Sequence, residues 1–455
     1  MENSFVKDMT IGSPVKLLLS FALPMLIGNL FQQFYNMVDS MVVGKYVSAD
    51  ALAAVGATGA VNFLFFSICF GMSTGIGIII SQYFGAKDDE YVRRSIANSI
   101  YVLMTAAVVM GILGFVLAEP LLKFLNTPEN IIGDSILYMR ITCLGLMAVA
   151  AYNGISSVLR ALGDSKTPLI FLIIAALLNV VLDLVFVIVF HWGVAGVAIA
   201  TIISQGVSAL GSILFAFIRN PYFRMERSYL KPDRAIIKKC IRLGFPMALQ
   251  SSMIAVSLVV LQSIVNSFGS VVVATFTVTS RIEQLVQQPY HSLATALSTY
   301  TGQNIGANQI ERVKSGFRKC FLIMGVFTLC MLPLAQFCGH TIMSLFTNEV
   351  EVISIGVRAL KITSWFYLYL GIIYITRGLL NGAGDTMYSL INGVMEMIGR
   401  IGFAKPLTMI PGVGVWGLWI ATGLTWFITA IASLIRYWDG KWKRKSVVQA
   451  SNCCG

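Results

Sequence analysis

The chain has 455 residues, of which 56% are hydrophobic and only 12% charged, and its mean hydropathy is +0.78. Soluble domains carry about 25% charged residues, and a water-facing surface around a chain this long needs more polar side chains than these, so a soluble globular protein is excluded. Lys and Arg outnumber Asp and Glu by 33 to 21, but the excess sits in short segments between apolar runs, which argues against nucleic acid as a partner. The chain reads as an all-α polytopic membrane protein whose first partner is the lipid bilayer.

A helix needs about 20 apolar residues to cross the hydrocarbon core. Twelve runs meet that length, near 16–41, 52–80, 95–118, 133–159, 168–190, 194–218, 239–267, 271–300, 317–338, 355–380, 388–410 and 415–437. The first run is too long for a cleavable signal and lacks a small-residue cleavage site. Basic residues collect on one side: Lys7 and Lys16, then Lys87, Arg93 and Arg94, then Arg160 and Lys166, then the stretch from Arg219 to Arg242. Arg312, Lys314, Arg318 and Lys319, the single Arg377, and the tail from Arg436 onward continue the series. The opposite loops hold only Lys45, Lys123 and Lys405. The positive-inside rule then predicts that both termini are cytoplasmic. The expected organisation is a cytoplasmic tail 1–15, a lobe 16–218, a basic cytoplasmic linker 219–238, a second lobe 239–437 and a cytoplasmic tail 438–455.

The two halves repeat at a spacing of 221. Gln82-Tyr83-Phe84-Gly85-Ala86 returns as Gln303-Asn304-Ile305-Gly306-Ala307, and Gly163-Asp164 returns as Gly384-Asp385. Gly193-Val194-Ala195-Gly196 returns as Gly414-Val415-Trp416-Gly417, and Pro24-Met25 as Pro246-Met247, one residue out of step. Six spans per copy give both copies the same orientation, so these are parallel repeats about an axis along the membrane normal. That architecture is typical of secondary transporters, which hold substrate between two lobes. The two Gly-Asp pairs read as tight turns that cap the following helix.

Charged and amide side chains inside spans are costly and mark function by default. In the first span Asn29, Gln32, Asn36 and Asp39 recur at i, i+3, i+7 and i+10, one polar stripe on an otherwise apolar helix. Tyr35 and Gln33 flank it, and Pro24 offers a kink. In the fifth span Asn179 and Asp183 share a face, and Thr201 of the antiparallel sixth span is within reach of it. Two carboxylates, an amide oxygen and a hydroxyl are hard oxygen ligands for a small cation such as Na⁺; without one, the carboxyl pair should hold a proton. In the eleventh span Glu396 and Arg400 are placed to pair with each other below Asn392. The repeat partners of Asn179 and Asp183 are Arg400 and Ala404, so the ion site is expected in the first half alone. Arg281 and Glu283, in the eighth span, point to different faces.

Nothing points to an enzyme, a cofactor or ATP-driven transport. His191, His291 and His340 are isolated, there is no Walker motif, and the eight cysteines form no CxxC pair. The adjacent Cys453 and Cys454 are not a prenylation box. A channel is disfavoured because no ring of like charges or repeated filter sequence is present. Twenty methionines and 28 Phe, 16 Tyr and 7 Trp supply soft and flat surface suited to greasy cations.

The residues that carry these features resemble the multidrug and toxic compound extrusion (MATE) family over residues 10–437. The likeness rests on Pro24 with Asn36-Met37-Val38-Asp39, on Gln82 to Ala86, on Arg160 to Pro168, and on Asn179-Val180-Val181-Leu182-Asp183. It extends through Gly193 to Thr201, Arg281-Ile282-Glu283 and Gly382 to Asp385. The resemblance implies two six-helix bundles in a V, exporting amphipathic, often cationic organic compounds in exchange for H⁺ or Na⁺, with no other cofactor and a single chain as the working unit at the cell membrane. It implies a coupling-ion site at Asp39, Asn179, Asp183 and Thr201, with Asn153 beside it. Gln32, Tyr35, Asn36, Gln250, Arg281, Glu283, Glu396 and Arg400 are candidate lining for the substrate space. A carboxylate that the NorM-type branch carries in the seventh span is replaced here by Ile254, which makes the chain more similar to the DinF-type branch. The alternative within the same broad superfamily is a lipid-linked oligosaccharide flippase, which wants a large basic cavity. A non-transporting scaffold or receptor leaves the buried carboxylates unexplained.

Overall fold

In the computed structural model, which describes residues 6–448, the chain is helical and no strand occurs among the described residues. The first half contains α1 (Pro14–Tyr46), α2 (Ala49–Gly85), α3 (Asp89–Phe124), α4 (Glu129–Leu144), α5 (Leu146–Ala161), α6 (Lys166–Leu184) and α7 (Gly193–Arg219). The second contains α8 (Arg234–Asn266), α9 (Ser270–Gly306), α10 (Ile310–Phe337), the short α11 (Gly339–Ser344), α12 (Val350–Ser364), α13 (Tyr367–Gly382), α14 (Thr386–Met409) and α15 (Gly417–Asp439). Eight of these helices are long and apolar enough to cross a membrane. The pairs α4–α5 and α12–α13 each make one bent span, and α9 and α14, more polar along their length, complete twelve. Cys453 and Cys454 lie outside the described residues.

Local signals start the helices where the chain reverses. Ser48 accepts from the Ala51 amide at 3.0 Å and Asp88 from the Tyr91 amide at 3.2 Å. Asp233 accepts from the Ala235 amide at 2.8 Å, so α8 begins at Arg234, inside the stretch expected to be linker. That linker is docked: Tyr101 donates to the Leu230 carbonyl at 2.6 Å and the Asp233 amide donates to Asn98 at 2.7 Å.

Two expected straight spans are bent. α4 and α5 meet at 46° around Gly145, where a Cβ would stand 2.1 Å from Ile202 of α7; the missing side chain lets α7 close on the bend. α12 and α13 meet at 51°. There the amide of Gln336 donates to the Lys361 carbonyl at 3.0 Å and to Ser364 at 2.8 Å, supplying partners where the helical ladder breaks. α6 ends in a π-helical turn, Val185–Val189, which begins two residues after Asp183.

The Gly-Asp turns diverge in detail. Gly163 and Gly384 both take left-handed backbone, φ +89° and +90°. Asp164 caps α6 as expected, accepting from the Lys166 and Thr167 amides at 3.0 Å. Asp385 does not cap α14; it accepts instead from Arg436 of α15 at 2.8 Å. The reading of both as caps is corrected for Asp385, because an arginine one helix away outcompetes the local amides.

The lobes meet in one half of the molecule, the end carrying the described termini. α2 packs on α8 and α9, and α1 on α9. Small residues set the approach: a Cβ at Gly71 would lie 2.4 Å from the Ala248 backbone and one at Gly75 2.6 Å from Gly244. A Cβ on Gly85 would meet the Gln303 carbonyl at 1.8 Å, and on Gly306 the Gln82 carbonyl at 1.8 Å, the same contact made twice by the repeat. Ser67 bonds Ser252 at 2.8 Å and Asn29 donates to Ser292 at 3.2 Å. Among the described residues no interlobe hydrogen bond lies farther from the termini than these, so the lobes diverge as a V.

Gly85→Ala and Gly306→Ala are each expected to cost about 1–3 kcal/mol through overpacking against backbone. Thermal melting in detergent checks this, with Gly56→Ala, where a Cβ meets nothing within 4 Å, as the neutral or slightly stabilising control.

Candidate functional site

The first-half lobe gathers its polar side chains where α1, α6 and α7 meet. Asn179 and Asp183, one turn apart on α6, are 2% and 0% exposed. Asn179 lies 3.5 Å from the Thr201 hydroxyl, which donates to its own helix at Val197. Asp39 comes down α1 so that its carboxyl faces that of Asp183 within hydrogen-bonding reach. Neither carboxyl can donate to the other unless it carries a proton. No other donor reaches Asp39 Oδ1, either oxygen of Asp183, or the amide oxygen of Asn179. Four buried oxygens of this kind are what a proton or a small hard cation fits; no trio of His, Cys, Asp and Glu that would hold a transition metal occurs among the described residues.

Next to this group lies a cavity of about 10 Å³, room for one water, lined by Tyr35, Asn179, Thr201, Ser204 and Gln205. Ser204 and Gln205 also hold buried oxygens without partners. Sequence reasoning missed both, although they follow Thr201 by three and four residues, the spacing of one helix face. It missed Tyr138 of α4, which lies near enough to feel the charges of Asp39 and Asp183; a lone tyrosine carries no pattern. Asn153 donates to the Val149 carbonyl of its own helix at 2.9 Å. Along α1 the stripe separates: Asn29 touches the other lobe, Gln32 and Asn36 are exposed, and Tyr35 is buried.

The second-half lobe binds its charges to one another. Glu396 lies 2.5 Å from Arg377 and 3.6 Å from Arg400, and Arg400 donates to Ser257 at 3.0 Å. With its amide oxygen turned toward Arg377, Gln250 accepts from Nε at 2.8 Å. Arg377 therefore belongs to the membrane core of the lobe, not to a loop as the charge count had it; its ion partner on α14 holds it there. Gln250, Glu396 and Arg400 sit inside the lobe between α8, α13 and α14, not on a wall. Glu283 points into the same lobe toward Arg400 and Thr363, with Oε1 unpartnered, while Arg281 is exposed.

The family model MatE matches residues 24–185 and again 246–404, once per repeat. The chain belongs to the MATE family. It is a membrane transporter and not an enzyme. The chain is 33% identical over 441 residues to the "Probable multidrug resistance protein YpnP" of Bacillus subtilis, covering 96% of this chain and 97% of that one. It is 24% identical to the "Multidrug export protein MepA" of Staphylococcus saprophyticus, covering 90% and 91%. Two solved structures share the fold at 24% identity. One, described as a MOP superfamily transporter from Pyrococcus furiosus, has a TM-score of 0.90 over 96% of this chain and 98% of its own. The other, an outward-facing MATE family transporter, has a TM-score of 0.89 over 97% and 98%.

Glu396→Gln removes the carboxylate that Arg377 and Arg400 share and is expected to cost about 3–5 kcal/mol. A melting temperature in detergent unchanged by that substitution would contradict the self-neutralised network.

Proposed function

We propose that this protein exports amphipathic organic compounds, cations among them, from the cytoplasm in exchange for H⁺ or Na⁺ by alternating access. The observation that carries this reading is the pair of facing carboxyls, Asp39 and Asp183, with no donor reaching three of their oxygens. The coupling ion is a substrate of this pocket: a proton shared by the pair, or a cation held by Asp39, Asn179, Asp183 and Thr201. Its binding joins α1 to α6, and its loss leaves two like charges that drive them apart. Pro24, without an amide to donate, is the point in α1 where such a movement bends the helix. The ion needs only unequal affinity for the two conformations to bias them.

The relatives' names support drug export, and the basic loops favour a cytoplasmic side for the terminus-bearing end of a cell-membrane protein. In that orientation the V opens outward. The lobes 16–218 and 239–437 then rock about the α2–α8 seam, with 219–238 as tether and one chain as the working unit. α8 holds no carboxylate, which favours coupling through the first lobe alone, as in the DinF-type branch. The flippase alternative is weakened by the fate of the intramembrane basic residues. Arg140 pairs with Glu119, Arg358 lies 4.4 Å from the Trp416 ring centre, and Arg400 pairs with Glu396.

Everted vesicles with an acidic interior and a quenched pH dye test the exchange. Adding an ethidium-like cation is expected to dequench the dye, and Asp39→Asn or Asp183→Asn to reduce that signal to the level of vesicles lacking the protein. Full dequenching in both variants would overturn the assignment.

A further inference from the structure

The repeat places two glutamines, both 0% exposed, across the seam at the terminus-bearing end. Gln82 of α2 donates through Nε2 to the Gly382 carbonyl at 2.9 Å, and Gln303 of α9 donates to the Ala161 carbonyl at 2.9 Å. Residues 82 and 303, like 161 and 382, are 221 apart, so one bond is the symmetry mate of the other. Each glutamine reaches the turn that ends a helix of the opposite lobe.

Their amide oxygens are engaged by the two terminal segments, which are not copies of each other. The Met9 amide donates to Gln303 at 2.7 Å, and the Val447 amide donates to Gln82 at 2.8 Å. Two residues earlier each segment lies on the Gly-Asp turn of the other lobe from the glutamine it contacts. The Lys7 carbonyl lies 2.2 Å from where a Cβ of Gly163 would stand, and the Lys445 carbonyl 2.6 Å from that of Gly384. Lys7 also donates its amide to Leu162 at 3.0 Å. Each segment thus crosses the seam, running from one lobe's turn to the other lobe's glutamine.

We propose that Gln82 and Gln303 are the bolts of a reciprocal latch holding this end of the lobes together, and that the segments 7–12 and 445–448 are its straps, which release whenever the lobes part there. The glutamines are positioning residues: they touch neither the ion pocket nor substrate, and they set how readily the transporter opens at this end. The geometry makes release concerted. Parting the lobes breaks both glutamine–turn bonds, and a strap anchored on one lobe cannot keep its bond to a glutamine that leaves with the other. Symmetric bolts with unrelated straps also mean that either strap alone leaves half of the latch open, so both are required. Lys239 of α8 reinforces the second strap, donating to the Val447 carbonyl at 3.0 Å and to Tyr83 at 2.7 Å.

This inference rests on the alternating-access reading, and its test separates the two. Spin labels at Glu90→Cys and Glu311→Cys, exposed repeat-related positions outside the latch, report separation of this end in a background freed of native cysteines. Hydrogen exchange reports the amides of Met9 and Val447. Gln82→Met and Gln303→Met each remove a bond to the turn and a bond from the strap, and are each expected to raise the open-to-closed ratio by about tenfold or more. Exchange should rise at Val447 in the first and at Met9 in the second. Gln82→Glu keeps the acceptor for Val447 and loses the donor to Gly382, so it should open the seam more than it exposes the strap. If substrate opens the wild type while both methionine variants keep wild-type label distances, the latch is wrong. If the variants open but no substrate or ion ever opens the wild type, the exchange reading fails and the latch stands. Should a variant not insert, wild-type exchange decides: straps that stay protected while the labels separate overturn the latch, and straps exposed in step with separation support it.

Discussion

Two carboxyl groups that face each other inside a membrane lobe constrain everything around them. Water does not reach Asp183, and like charges at hydrogen-bonding distance in a low-dielectric interior do not coexist bare. The pocket therefore suits a proton or a cation, and in the proposed exchange the helices that carry it respond to whether one is bound. α1 brings Asp39 and α6 brings Asp183, so in the proposed exchange the ion is a removable link between two helices. The π-helical turn that begins two residues after Asp183 and the proline within α1 lie on those same two helices.

The duplicated scaffold makes the asymmetry of the chemistry visible. The position that holds Asn179 in the first lobe holds Arg400 in the second, where the guanidinium bonds Ser257 and pairs with Glu396. One lobe keeps a cluster of buried carboxyl oxygens in need of a partner; the other pairs Glu396 with two arginines and leaves Oε1 of Glu283 unpartnered. At the seam, by contrast, the repeat is kept. Gly85 and Gly306 let the two backbones meet, and Gln82 and Gln303 bond reciprocally beside them. Symmetry is retained where the lobes must close on each other and lost at the pocket proposed to hold the ion.

Much of this was legible in the sequence, for local reasons. Helical spacing alone put Asn179 and Asp183 on one face, and a short turn between the spans brought Thr201 to it. The common offset of 221 exposed the repeat before any contact was known. What was not legible depends on distant partners. The bend at Gly145 follows from how closely α7 approaches, and the bend after Ser364 from a glutamine on α10. Arg377 looked like a loop charge until Glu396 and Gln250 were seen to hold it. Tyr138 comes near the carboxyl pair only through tertiary folding. The straps are the extreme case: the Met9–Gln303 and Val447–Gln82 bonds join residues some 300 positions apart or more, and nothing local in either segment announces them.

The claim on which the account depends is that the Asp39–Asp183 pair exchanges its ion for transported substrate. Difference infrared spectroscopy on the protein in liposomes tests it directly, recorded on addition of an organic cation or of Na⁺. The account predicts loss of a protonated-carboxyl C=O stretch, and absence of that change in Asp39→Asn and in Asp183→Asn. A spectrum without any carboxyl change, or one that persists unaltered in both variants, would contradict it.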